Sequence, residues 1–154
     1  MNETQAIHGV AIGSDHGAFG QKEMLKAWLQ TAGYRVADVG CRAEEKVDYP
    51  DIAAAVCRRV ASGECERGIV LDGAGIGSCM AANKVRGIRA ALCYDQRTIV
   101  NSREHNNANV LCLGGPLHDS GQLVEMVRTW LETRFAGGRH LARVNKIMAL
   151  ERGD

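Results

Sequence analysis

RGIVLDGAGIGSCMAANK, residues 67–84, reads in three parts. Residues 67–71 are a short apolar run, the pattern of a strand buried on both faces. Asp72-Gly73-Ala74-Gly75-Ile76-Gly77 follows, and its alternating glycines read as a tight turn in backbone conformations closed to other residues. The next stretch, SCMAANK (78–84), is a short helix of small residues. Strand, turn and helix in this order predict a unit of a parallel sheet.

The same alternation runs through the chain. AIHGVAIG (6–13) is a strand, and 18–32 is a helix with Met24, Leu25, Trp28 and Leu29 at helical spacing, stopped by Gly33. YRVADV (34–39) is a strand, 40–49 a loop, and Pro50 opens a helix to about Ser62 whose inner face is Ile52, Ala53, Val56, Cys57 and Val60. IRAALC (88–93) and NVLCL (109–113) are strands on either side of a helix at 95–104. Residues 119–135 form an amphipathic helix carrying Leu123, Val124, Val127, Trp130 and Leu131, and a last helix covers about 139–151. Five strands alternating with helices predict an α/β fold, a parallel sheet covered on both faces. The final helix begins with a basic group (Arg139, His140, Arg143, Lys146) and has little sheet left to cover, so it is expected to pack on a second subunit.

The 154 residues are expected to form one domain over 1–154, with no repeat or linker. Lys+Arg 19 against Asp+Glu 18 gives a net charge of +1, which argues against broad binding to nucleic acid or anionic lipid. Aromatics at 5% make a base-stacking platform an unsuitable reading. The six cysteines contain no C-x-x-C pair and sit mostly in apolar runs, so they read as small buried hydrophobes, with no metal site. No cofactor is called for. The N-terminus lacks a basic start and an apolar core, and no run is long enough to span a bilayer. A cytoplasmic protein is expected.

Ligands of open parallel sheets bind outside the carboxyl ends of strands. Three groups are placed there by this reading. Ser14-Asp15-His16-Gly17 follows the first strand and could hold sugar hydroxyls or phosphate, or be a helix cap. Residues 72–77 could aim backbone N–H groups at a phosphate or an enediolate, or be only a tight turn. Asp72 at the strand tip is either a general base in a partly dry pocket or a solvated cap. The third group is Arg103-Glu104-His105-Asn106-Asn107, where a histidine beside two amides could move a proton, or close a helix end. Arg139 and Arg143, four apart, make either a phosphate clamp or a solvated basic face.

GSDHGAF (13–19), DYPD (48–51), GAGIG with MAANK (73–77, 80–84), GIRAALC (87–93), REHNNANVL (103–111) and GGRHLARV (137–144) together resemble the family of type B ribose-5-phosphate isomerases and galactose-6-phosphate isomerase subunits. These segments come in the family's order and span nearly the whole chain. The resemblance implies a Rossmann-like three-layer fold with a five-stranded parallel sheet. It also implies a homodimer or tetramer with sites between subunits, the C-terminal helix taking part in dimerisation. The implied reaction is a metal-free aldose–ketose isomerisation of a phosphorylated sugar, by default ribose 5-phosphate, through an enediolate. A binding homologue without catalysis, or an inactive subunit of a hetero-oligomer, is the alternative.

By the same resemblance His105 opens the sugar ring and Asp15 binds hydroxyls. Asn106 and the backbone of Gly73, Ala74, Gly75 and Gly77 stabilise the enediolate, while His16, Arg139 and Arg143 bind phosphate and Tyr49 lines the pocket. The chain departs from the family at its base. Most members have Cys directly before the glycine stretch, where this chain has Asp72, and another branch has Glu directly after it, where this chain has Ser78. Ala74 replaces a hydroxyl residue, and Pro116 follows Gly115 where members often carry a phosphate-binding arginine. Asp72 is therefore expected to take the place of the thiolate.

Overall fold

A computed structural model of the chain describes residues 7–43 and 45–153. Ala6, the first residue of the first predicted strand, and most of the N-terminal stretch lie outside the described residues. The strands are β1 (Gly9–Ser14), β2 (Arg35–Asp38), β3 (Arg67–Asp72), β4 (Ala90–Leu92) and β5 (Val110–Gly114). The α-helices are α1 (Phe19–Thr31), α2 (Tyr49–Ala61), α3 (Ile76–Ala82), α4 (Gln96–Glu104), α5 (Ser120–Glu132) and α6 (Arg139–Leu150), with 3-10 turns at His16–Ala18 and Gly115–Leu117. All strand pairs are parallel, in the order β2-β1-β3-β5-β4. The five-stranded sheet and its helical cover agree with the expected fold class.

Two cores flank the sheet, and they differ in grain. On one face α1, α4 and α5 bury Leu25, Leu29, Ile99, Leu123, Val127 and Trp130 against Ile12, Ile69, Leu71, Leu111 and Leu113. On the other, α2 and α3 set Ala53, Val56, Cys57 and Ala82 against Ala11, Val70, Val110 and Cys112. Strands buried on both faces explain why β1, β3 and β5 are continuously apolar rather than alternating. Five of the cysteines are buried, Cys79 is half-buried, and all six thiols are free.

Lys22 is a fully buried charge on the inner face of α1, which the helical pattern alone does not announce. Its Nζ lies 2.9 Å from each carboxylate oxygen of Asp38, at the end of β2, and 2.6 Å from the Cys41 carbonyl. Burial acts to raise the Asp38 carboxyl, but hydrogen bonds from Lys26, Lys22 and the Gly40 N–H outweigh it and hold the group below its usual range.

The chain leaves β1 toward β2 and leaves β3 toward β5 and β4, so the order reverses between β1 and β3. The crevice of a doubly wound sheet opens at such a reversal. Asp15 and Asp72 stand at the two strand tips that border it. α6 buries Val144 and leaves Leu141, Ile147 and Leu150 exposed. No helix among the described residues is long and apolar enough to cross a membrane.

Candidate active site

At the carboxyl rim the backbone joins the two tips: the Asp15 N–H donates to the Leu71 carbonyl at 3.1 Å. The Asp15 side chain accepts from the Gly17 N–H at 2.9 Å and caps the turn that carries His16, which is exposed. His16 Nδ1 accepts a long 3.4 Å bond from the Val47 N–H. Tyr49 opens α2 and lays its ring on Gly77; a Cβ there would sit 2.4 Å from the ring, so no larger residue fits unless the tyrosine moves. Gly75 turns the chain with φ +78°, and a Cβ there would also meet Leu92 and the Leu113–Gly114 backbone at 2.6–3.0 Å.

Asp72 is 5% exposed and lies inside this turn. Oδ1 accepts from the N–H of Ala74 at 3.0 Å and from the N–H of Gly75; Oδ2 accepts from the Ser78 N–H at 3.2 Å and the Ser78 hydroxyl at 2.6 Å. Burial corrects the solvated-cap reading: the carboxylate lies away from solvent, and donors of the turn itself surround it. The expected anion nest is corrected too. Two of its N–H groups, Ala74 and Gly75, serve Asp72, leaving the first-turn N–H groups of Ile76 and Gly77 without intrahelical acceptors.

His105 and Asn106 are not at this rim. The loop from α4 into β5 must enter a parallel strand at its amino end, which the sequence reading overlooked. Gly68 donates to the Asn109 carbonyl, and Asn109 donates to the Arg89 carbonyl, so the segment sits beside the first residues of β3 and β4. Gly68 pairs with Val110 and Asp72 with Gly114. Four residues of strand, about 13 Å, therefore separate the two levels.

The amino rim has its own order. The Asn106 amide donates to Asn101 Oδ1 at 3.0 Å, and Asn101 Nδ2 lies 3.0 Å from His105 Nδ1. An amide donor on Nδ1 puts the proton of a neutral imidazole on Nε2. The His140 ring stacks on His105 with centroids 4.2 Å apart. Desolvation by its neighbours, then the positive charge of His105, Arg139 and Arg143, holds His140 below its usual value, with Glu104 opposing. Arg139 and Arg143 are exposed at the start of α6.

The structure thus brings Asp15, His16, Tyr49 and residues 72–77 to one rim and His105, Asn106, Arg139 and Arg143 to the other. Three residues were missed. Asn101 precedes His105 by four, a helical spacing that could have flagged it. Ser78 was noted only as the position of another base, and His140 only as part of a basic group. Cys79 follows Ser78, but its sulfur turns toward the Ala90 carbonyl, 3.6 Å away. A hydrogen bond from Cys112, against the effect of burial, lowers that thiol to about 7.

The family described as Ribose/Galactose Isomerase matches residues 10–147. Ribose-5-phosphate isomerase B of Escherichia coli is 39% identical over 142 residues, covering 92% of this chain and 95% of that protein. D-erythrulose-4-phosphate isomerase of Pectobacterium atrosepticum is 38% identical over 139 residues, covering 90% and 91%. The solved ribose-5-phosphate isomerase B of Clostridium thermocellum superposes with a TM-score of 0.92 at 46% identity, covering 94% of this chain and 98% of that one.

Proposed function

The chain belongs to the ribose/galactose isomerase family, and from that premise we propose how its site works. The protein is an aldose–ketose isomerase of a small phosphorylated sugar. Asp72 is the base that carries the proton between C1 and C2, a role for which a carboxylate is competent. Asp15 binds sugar hydroxyls beside it, and Tyr49 closes the side of the pocket. Ribose 5-phosphate is the default substrate. Ala74, Pro116 and the likeness to an isomerase named for a four-carbon sugar keep other four- to six-carbon phosphosugars in the panel.

The observation that carries the assembly is the separation of the two rims. His105, Asn106, Arg139 and Arg143 lie a strand length from Asp72 in their own chain, so a complete site needs a second copy, and a dimer about a two-fold axis supplies two. His105 of one copy, with its proton on Nε2, then donates to the ring oxygen of a sugar held by the other copy. Asn106 and the first-turn N–H groups of α3 face the enediolate, and Arg139, Arg143 and His16 hold the phosphate. The exposed apolar residues of α6 support its place in that interface. The free thiols support a reducing compartment, the cytoplasm.

NMR in D2O with phosphorylated aldoses and ketoses tests the reading. Enediolate chemistry places deuterium at C1 or C2 even where net conversion is small. Exchange in one sugar is expected and names the substrate; no exchange in any sugar overturns it.

A further inference from the structure

The Asp72 carboxylate carries about four lone-pair sites, and four donors meet it: the N–H groups of Ala74, Gly75 and Ser78 and the Ser78 hydroxyl. A base with no open lone pair cannot take a proton from carbon. Three of these donors are backbone groups, fixed by the turn and the start of α3. The fourth turns about a single side-chain bond. Ser78 is fully buried, so its hydroxyl works away from bulk water. No other side chain among the described residues donates to Asp72. Among the described residues the titratable groups around it are Asp15 from the β1 tip, Tyr49 from α2, Cys79 from α3 and Cys112 from β5.

We propose that Ser78 is a positioning residue for the proton transfer: its hydroxyl holds Asp72 Oδ2 in place, sets how readily that oxygen takes a proton, and is the one donor that can swing away to open a lone pair. The proposal rests on Asp72 being the base. In the step, Oδ2 takes the proton from the substrate carbon while the C–H electron pair becomes the enediolate; Asp72 then returns that proton to the neighbouring carbon. Ser78 keeps its own proton throughout. It can turn toward a carbonyl three or four residues earlier, as helical serines commonly do.

The test follows the Asp72 carboxyl signal by NMR in protein labelled with 13C-aspartate, assigned by its loss in Asp72→Asn. Removing a hydrogen bond to the charged form moves protonation to higher pH. In Ser78→Ala the midpoint is expected to rise by about one pH unit, and in Ser78→Thr to return. The acid limb of kcat/KM with ribose 5-phosphate moves by the same amount, with KM held within about twofold. Ser78→Cys, a weak donor of similar size, gives the same reading where the alanine variant does not fold. An unmoved midpoint overturns the proposal, as does a loss of kcat that is equal at every pH. Full turnover in Asp72→Asn overturns the base reading itself, and the midpoint shift, present or absent, separates that failure from this one.

Discussion

At the carboxyl rim every donor to Asp72 among the described residues comes from residues 74–78 and Asp72 is 5% exposed, whereas at the amino rim the His105 side chain is 40% exposed and its partners are helix side chains. The first is a backbone cradle that holds its charge whether or not a second copy is present. The second is a cluster in solvent, ordered by Asn101, Asn106 and His140, that has nothing of its own chain to act on. The contrast separates two effects that active-site mutations usually mix. Substitutions at the carboxyl rim are expected to change activity and folding together, and substitutions at the amino rim to change activity alone.

The largest effect is expected from Asp72→Asn. It removes the proposed base and disrupts the cage, so kcat/KM should fall by about 10²–10⁴ and the melting temperature should drop as well. His105→Asn should cost about 10² in kcat/KM and leave the melting temperature within a degree or two of the parent. Refolding the two inactive variants together breaks or keeps the comparison. If sites span two copies, each mixed dimer carries one intact site, and about a quarter of parental activity returns. No recovery, with mixed dimers shown by native mass spectrometry, would put both rims in one site per chain.

Asp38→Asn probes the buried charge on α1, since Lys22 would keep its charge and lose its carboxylate partner on β2. A loss of about 1–3 kcal/mol is expected in denaturant unfolding, because Glu23 and the Cys41 carbonyl stay beside the Lys22 ammonium. Because Asp38 is held below its ordinary range in the folded state, its contribution is full above the usual carboxylate range and fades as the pH falls through it. The parent should therefore lose stability in acid more steeply than the variant. Arg143→Gln sits at the other rim, in solvent; KM for the phosphosugar should rise about tenfold with the unfolding midpoint unchanged.

Much of this was legible in the sequence because two periodicities carry it. The buried strands announce themselves as apolar runs, and α2 and α5 present their buried residues at helical spacing. The glycine turn was legible as a turn, and α3 starts two residues earlier than expected, at Ile76, because Asp72 caps it from inside. What one dimension hides is which end of the sheet a loop reaches. His105 and Asp72 both lie beside strand-like runs, yet one precedes a strand and the other ends one, and parallel topology sends them to opposite rims. Lys22 was hidden for another reason. Its partner, Asp38, is 16 residues away, and only the pairing of β2 with β1 brings them together.

The smallest effect sharpens the comparison most finely. Asn101 stands in solvent on α4, so its removal should not register in folding. Its amide nonetheless fixes His105 twice over, by bonding Nδ1 and by anchoring Asn106 through Oδ1. Without that donor the imidazole divides between two tautomers and the ring turns more freely, so the form that offers Nε2–H to a sugar oxygen is less populated. An exposed hydrogen bond of this kind is worth about 1 kcal/mol, which corresponds to about a fivefold loss. Asn101→Leu should lower kcat by that factor with an unchanged melting temperature, and 15N NMR of His105 should show the proton spread over both nitrogens. A drop in melting temperature to match the loss in rate would mean that the amino rim is braced by its own chain after all, and that the two rims differ less than their geometry says.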